Sequence, residues 1–300
     1  MKKTYKVGEH YFSLKTESSS IVSLLEDMNN YMPFIVEYDE RISTVFELEI
    51  EEKETVKHLV DKTVQLAEFD DDIAYISVMQ RVDDDYTFLI ALNKLLKDNG
   101  GLLEVNKNMK SASLYLTYSS DKHHKHFIIN NALMLLYALF TSTLSTLLIH
   151  ASVVVNNGKG YAFLGRSGTG KSTHTRLWLK HIEGSSLLND DNPVIRIHSD
   201  GRIMIYGSPW SGKTPCYINE GVELKSIVRL SQAPYNKIVR LNNVFAYAAI
   251  SPSASCMKWD RVMTDSLHES FSEIIKNIGI YHLECLPDEE ASKLCFEKIK

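Results

Sequence analysis

The chain has 300 residues, of which 44% are hydrophobic and 24% charged, with a formal net charge of −5. This supports a packed core of one large or two ordinary domains. With lysines and arginines scattered rather than in runs, it also argues against a nucleic-acid-binding protein. Cys216, Cys256, Cys285 and Cys295 lie in the last third of the chain without CxxC pairing, which points to reduced thiols in a cytoplasmic protein rather than a disulfide frame or a zinc site.

The N-terminal "MKKTYKVGEHYFSLK" has two lysines but no apolar run behind them, so no secretory signal is expected, and "YKVGEHYFSLK" reads as a hairpin. "SSSIVSLLEDMNN" carries a serine N-cap ahead of apolar helical spacing. Strands are expected at "ISTVFELEI", "IAYISVM", "YTFLIAL" and "ASLYLTY". The acidic runs Asp70–Asp72 and Asp83–Asp85 lack calcium-loop spacing and read as solvated turns. "DKHHKH", with His123, His124 and His126, reads as a polar hairpin turn in preference to a metal site. The uncharged stretch from Phe127 to Ile149 is long enough to span a bilayer, but Asn130, Asn131 and a Ser/Thr-rich end interrupt it. A buried helix running into a strand, with no membrane contact, is the expectation. These features divide the chain into an N-terminal α+β unit, residues 1–128, which would serve substrate recognition or an accessory role, and a second domain, residues 129–300.

"HASVVVNNGKGYAFLG" is two β-rich runs joined at Asn157-Gly158, a hairpin signal. A helix over Thr173 to His181 follows, with Leu177 and Trp178 on its apolar side, and then the short run "SSLLNDD". "PVIRIHSDGRIMIYG" reads as a second hairpin, "ELKSIVRL" as a strand, and "NNVFAYAAI" and "DSLHESFSEIIKNI" as helices. A last strand and helix close the chain, the helix capped by Asp288. The fold class expected is α/β, with a mixed, largely antiparallel sheet.

Between the first hairpin and its helix lies Gly165-Arg166-Ser167-Gly168-Thr169-Gly170-Lys171-Ser172, the spacing of a phosphate-cradling loop in its required strand–loop–helix setting. Glycines let the backbone N–H groups wrap a phosphate, and the helix N-terminus adds a favourable dipole. The nucleotide-binding set expected is Gly165, Ser167, Gly168, Thr169, Gly170, Lys171, Ser172 and Thr173, with Lys171 meeting the β- and γ-phosphates and Ser172 offering a hydroxyl to Mg²⁺. Asp190 and Asp191 follow at the end of an apolar run, 19 and 20 residues past Lys171. One carboxylate would hold Mg²⁺ and the other take a proton from an attacking hydroxyl. Adjacent strand residues face opposite sides, so a bend or bulge is needed for both to reach one site. Asp190 is assigned as base and Asp191 as metal partner, with the reverse open. His150 reads as a site residue or a core histidine; Trp210 as a loop anchor or a substrate-facing aromatic; His174 and Arg176 as nucleotide contacts or a solvated helix face.

The run "LIHASVV…GYAFLGRSGTGKSTHTRL…LLNDDNPVI" resembles the catalytic domain of HPr kinase/phosphorylase and its relatives, a group that shares its core with phosphoenolpyruvate carboxykinase and includes kinases of lasso-peptide precursors. The resemblance spans roughly residues 130–298. It implies a P-loop core of that type, His150 close to the transferred phosphate, Asp190 and Asp191 as base and Mg²⁺ partner, and Lys213 as a basic residue near the phosphates. The segment after "IYG" lacks the glycine-rich signature of true HPr kinases, which argues against HPr as substrate. The implied activity is an ATP- and Mg²⁺-dependent kinase acting on a hydroxyl, a serine on a peptide or protein. A small-metabolite kinase and a nucleotide-binding regulatory protein without transfer activity are the alternatives. ATP as opposed to another phosphoryl donor, and self-association, are left open.

Overall fold

The computed structural model of the chain describes residues 1–37, 39, 41–56, 63–70, 74–81, 85–106, 111–212, 214–255, 257 and 260–300. Backbone contacts group it into two compact units, Met1–Lys6 with His10–Phe140, and Val7–Glu9 with Thr141–Lys300. Both are built on mixed sheets.

In the first unit β1 (Lys2–Val7) and β2 (His10–Lys15) are adjacent strands, as the hairpin pattern predicts. Helix α1 (Ser19–Glu26) starts where the Ser18 hydroxyl accepts the Ile21 N–H. Strands β3 (Ile35–Val36), β4 (Phe46–Lys53), β5 (Thr63–Asp70), β6 (Tyr75–Arg81), β7 (Tyr86–Ala91), β8 (Gly101–Asn106) and β9 (Ser111–Thr117) complete a nine-stranded sheet in the order β3-β1-β2-β4-β9-β8-β7-β6-β5. Asp71, Asp72, Asp83 and Asp84 of the two acidic runs lie outside the described residues. Helix α2 (Lys122–Thr141) follows.

"DKHHKH" is therefore not a hairpin turn. Asp121 caps the helix by accepting the His124 N–H at 2.9 Å, and the histidines form its first turns. His124 is buried and accepts the Leu92 N–H, and burial lowers its pKa. His126 Nε2 lies 3.1 Å from the Leu24 carbonyl. Further along α2, Ile128, Ile129, Ala132, Leu133, Leu136 and Tyr137 have no exposed surface. Tyr137 packs edge-on to Phe12, and Phe140 stacks near Phe46.

The second unit contains β10 (Thr146–Leu148), β11 (Ala151–Asn156), β12 (Lys159–Leu164), α3 (Lys171–His181), β13 (Ser185–Asp191), β14 (Val194–Ile197), β15 (Ile203–Tyr206), β16 (Gly221–Gln232), β17 (Lys237–Arg240), α4 (Asn243–Ile250), α5 (Arg261–Asn277), β18 (Gly279–Cys285) and α6 (Glu289–Ile299). The sheet order is β10-β14-β15-β16-β12-β11-β13, with β18 beside β16 and β17 beside β18. β12 and β18 run parallel to β16, and the other ladders are antiparallel. The β11–β12 hairpin turns through Asn157 (φ 49°) and Gly158 (φ 71°), the left-handed pair that matches strand twist in a two-residue loop. Helices cover both faces. Trp178 of α3, Ile182 just after it, and Cys295 and Ile299 of α6 pack with Tyr161, Phe163, Val228 and Leu283, while Ala249, Ile250, Phe271 and Ile274 of α4 and α5 pack with Ala162, Leu164, Ile227 and Ile280. The parallel trio β12-β16-β18 places three strand C-termini along one edge, where helix-flanked sheets take ligands.

Candidate functional site

The loop after β12 has left-handed backbone at Gly168 (φ 80°) and Gly170 (φ 103°), a conformation that a side chain would strain. Thr169 closes it, its N–H donating to the Arg166 carbonyl at 3.1 Å. Gly170 is the N-cap of α3 and supplies no side-chain acceptor, and the first turn holds no acid. The first N–H groups of α3 and its positive dipole end therefore meet no acidic side chain from the helix's own cap or first turn. Thr173 and His174 follow on that turn, and Trp178 anchors the helix. Its ring lies among those of Tyr161, Phe163 and Phe296, and its Nε1–H donates to His174 Nε2 at 3.1 Å. Arg176 is exposed and donates from Nε to the Ser172 carbonyl at 3.1 Å.

Lys171, at the start of α3, bends back to the loop. Its Nζ donates to the Gly165 carbonyl at 2.8 Å and to His150 Nε2 at 2.7 Å. His150 Nδ1 lies 3.1 Å from Asp191 Oδ1. The partners fix the tautomer: the ammonium has protons only to give, so Nε2 accepts and Nδ1–H donates to the carboxylate. Burial, reinforced by Lys171, lowers the His150 pKa below its ordinary value and keeps the ring neutral. Burial likewise lowers Lys171 and raises Asp191. The result is a carboxylate–imidazole–ammonium chain that the sequence places at three separate points and the β11–β13 ladder brings together.

Asp190 is held differently. Its Oδ1 accepts from the Ser152 hydroxyl at 2.8 Å, and Ser152 lies 2.7 Å from Thr175 of α3. Its Oδ2 is buried with no hydrogen-bond partner among the described residues. Asp190 is 5% exposed, whereas the Asp191 side chain is 30% exposed. Asp190 and Asp191 lie in unbroken register opposite Ser152 and Ala151, and the register shift of the β11–β13 ladder falls before them, at Leu188, so no bulge separates the two acids and their side chains meet different partners. Both carboxylates act electrostatically on Lys171. Asn189 is the residue the sequence pattern passed over. Fully buried, it donates to the Ser208 hydroxyl at 3.1 Å and accepts the Asp191 N–H at 3.0 Å, while the Gly212 N–H donates to the Asp190 carbonyl at 3.1 Å. The signal available was a polar residue inside an apolar strand directly before the acidic pair. Trp210 is buried and its carbonyl accepts from Asn192 N–H at 3.3 Å, the loop-anchor reading. Lys213 lies outside the described residues.

A family model for ScmC, the SynChlorMet cassette protein, matches residues 115–285, more than half of the chain. The chain belongs to the ScmC family. The ScmC match takes in His150, the glycine loop, the acidic pair and the parallel trio of strands. No curated protein matches the chain.

Among the described residues no three His, Cys, Asp or Glu are grouped to hold a metal ion. Mg²⁺ at a nucleotide site does not require such a group, because phosphates and waters fill most of its octahedron beside one or two protein ligands. The buried Asp190 Oδ2, without a donor among the described residues, the Ser172 hydroxyl and the Asp191 carboxylate fit that mode. An orphaned buried carboxylate oxygen is costly unless a cation or water meets it.

Proposed function

We propose that this protein is a kinase that moves the terminal phosphoryl group of ATP, or a related donor, onto a hydroxyl. The observation that carries the reading is the Asp191–His150–Lys171 chain at the start of α3, beside a glycine loop whose helix N-terminus holds no acid. The first N–H groups of α3 and Lys171 bind the phosphates, and Lys171 exchanges the Gly165 carbonyl and His150 for phosphate oxygens. Mg²⁺ held through Asp190 and Ser172 would neutralise charge on those oxygens. Asp191 is the accessible carboxylate and its affinity for a proton is raised by burial. It takes the proton of the acceptor hydroxyl as that oxygen attacks the terminal phosphorus and the bridging P–O bond breaks. His150 orients it through Nδ1–H. This favours Asp191 as base and Asp190 as metal partner, the reverse of the first assignment. The acceptor proposed is a serine-type hydroxyl on a peptide or protein, supported by the resemblance to HPr-kinase-like proteins.

The test is transfer from labelled ATP-Mg²⁺ to serine peptides and to hydroxylated metabolites by the full chain. Asp191→Asn should lose transfer by about a hundredfold or more while binding ATP nearly as well, and Lys171→Met should lose binding. Transfer by the wild type should also fall on the acid side, as pH drops through the raised Asp191 pKa. If wild type and Asp191→Asn bind alike and neither phosphorylates anything offered, a binding-only protein becomes the better reading. Preference for metabolites over peptides would move the acceptor class.

A further inference from the structure

The end of β16 carries a second nucleophile and base, apart from the Asp191–His150–Lys171 chain. Ser231 Oγ lies 2.8 Å from His282 Nε2 of β18. Both residues are half-buried. Their strands are parallel neighbours, with Arg229 opposite His282 and Glu284 opposite Ser231. Alternation along β16 sets Arg229 and Ser231 on one face of the sheet. Burial, reinforced by Arg229 and opposed by Glu284, lowers the His282 pKa below its ordinary value. A neutral ring has one bare nitrogen, and at Nε2 it can accept the serine proton.

This pair stands beside the glycine loop. In the parallel β12–β16 ladder Leu164, the last residue before the loop, lies opposite Arg229. Ser231 is two residues further along β16, level with the loop itself. A Cβ added to Gly165 would lie 3.4 Å from the Leu230 carbonyl, and Gln232 Nε2 donates to the Gly168 carbonyl at 3.2 Å. The residues on either side of Ser231 therefore flank the loop, whose Gly165 carbonyl also accepts from Lys171 Nζ at 2.8 Å. A serine hydroxyl with a base in hydrogen-bond reach is the arrangement of an activated acceptor. Arg229 is exposed and supplies a cation for a phosphate formed on that face. Glu284, the like charge across the ladder, is engaged by the Tyr235 hydroxyl at 3.2 Å.

We infer that Ser231 is a self-phosphorylation site, with His282 as its base. The inference rests on the kinase reading but can fail separately from it. Ser231 Oγ attacks the terminal phosphorus of the donor at the loop, and its proton passes to His282 Nε2. The bridging P–O bond breaks, and its electrons leave with the diphosphate. The products are a phosphoserine at the end of β16 and an imidazolium beside it. Asp191 serves acceptors from outside the chain, so the two routes use different bases.

The experiment incubates the phosphatase-treated full chain with labelled ATP-Mg²⁺ and no added acceptor, and locates the label by intact mass and peptide mapping. Wild type should gain one phosphoryl group, on Ser231. Ser231→Ala should lose it while transfer to added serine peptides is unchanged, and Ser231→Thr should keep part of it. His282→Gln, whose side chain can still hold the serine hydroxyl but is no base, should slow labelling by about a hundredfold or more. Lys171→Met should abolish labelling, which separates this chain's own activity from a contaminating kinase. Label on another residue, label that survives Ser231→Ala or Lys171→Met, or an equal rate in folded His282→Gln overturns the inference. A wild type that phosphorylates an added acceptor but not itself also overturns it and leaves the kinase reading in place. If wild type labels neither itself nor any acceptor, the kinase reading falls and takes this inference with it.

Discussion

His174 is the residue whose environment departs furthest from what its position in the sequence suggests. Three residues past Lys171, it reads as a nucleotide contact or a solvated helix residue, yet it is 3% exposed. The indole N–H of Trp178 can only donate, so His174 Nε2 is the acceptor and the proton sits on Nδ1, which is buried without a partner among the described residues. Burial lowers its pKa from 6.5 to about 4. In the unfolded chain the ring protonates near 6.5; in the folded chain it stays neutral until about 4. Between these values the unfolded state binds more protons, so stability falls as pH drops through the window. The contribution lost by pH 4 is on the order of 3 kcal/mol. Urea unfolding at neutral pH and near pH 4 should show a loss smaller by about that amount in His174→Gln, whose side-chain carbonyl can still accept from Trp178. Equal acid sensitivity in the two proteins would place the effect elsewhere.

Among the elements, α6 shows how far local chemistry alone goes. Asp288 Oδ1 accepts the Ala291 N–H at 2.9 Å, and Glu289 and Glu290 occupy the first turn at the positive dipole end. Asp288→Ala should cost about 1 kcal/mol, seen as a shift in denaturant midpoint without a change in slope, with Asp288→Asn retaining most of the stability. Caps and tight turns of this kind were legible in the sequence: Ser18, Asp288 and Asn157-Gly158 stand where expected, because each acts through neighbours a few residues away. What escaped the sequence depends on distant partners. Edge strand β5 shows no alternation and exposes Val64, Leu66 and Phe69, so no buried face marks it, and β17 is four residues long. The glycine loop was legible as a spacing. The joining of His150 to Asp191, and of Ser152 to Asp190, was not legible from the residues themselves, because it depends on a β11–β13 register that shifts at a bulge. The cap at Asp121 was readable but was outweighed by the polar run behind it, and the start of α2 was missed for that reason.

For the molecule as a whole, the uncharged segment around α2 poses the largest question of placement. Among the described residues, Lys122–Leu144 is the stretch of helix long and apolar enough to cross a membrane, and half of its most apolar part is buried within the fold. Length and composition cannot separate lipid from protein as the apolar surroundings, since both accept the same residues. Packing can. The six fully buried apolar residues of α2 recur as pairs every four positions, Ile128-Ile129, Ala132-Leu133 and Leu136-Tyr137, which is one continuous helical face. Gly101 of β8 lies so close to that face that an added Cβ would collide with Ile128, and the aromatic rings of Phe12 and Phe46 close over its C-terminal end. A leucine in such a setting leaves a cavity when shortened, because strands on a sheet cannot collapse into the space. Leu136→Ala should therefore destabilise the detergent-free protein by roughly 2–5 kcal/mol in urea or guanidinium unfolding. A leucine facing lipid would show no such dependence in water, and a protein that required detergent and tolerated Leu136→Ala would contradict the core placement of α2.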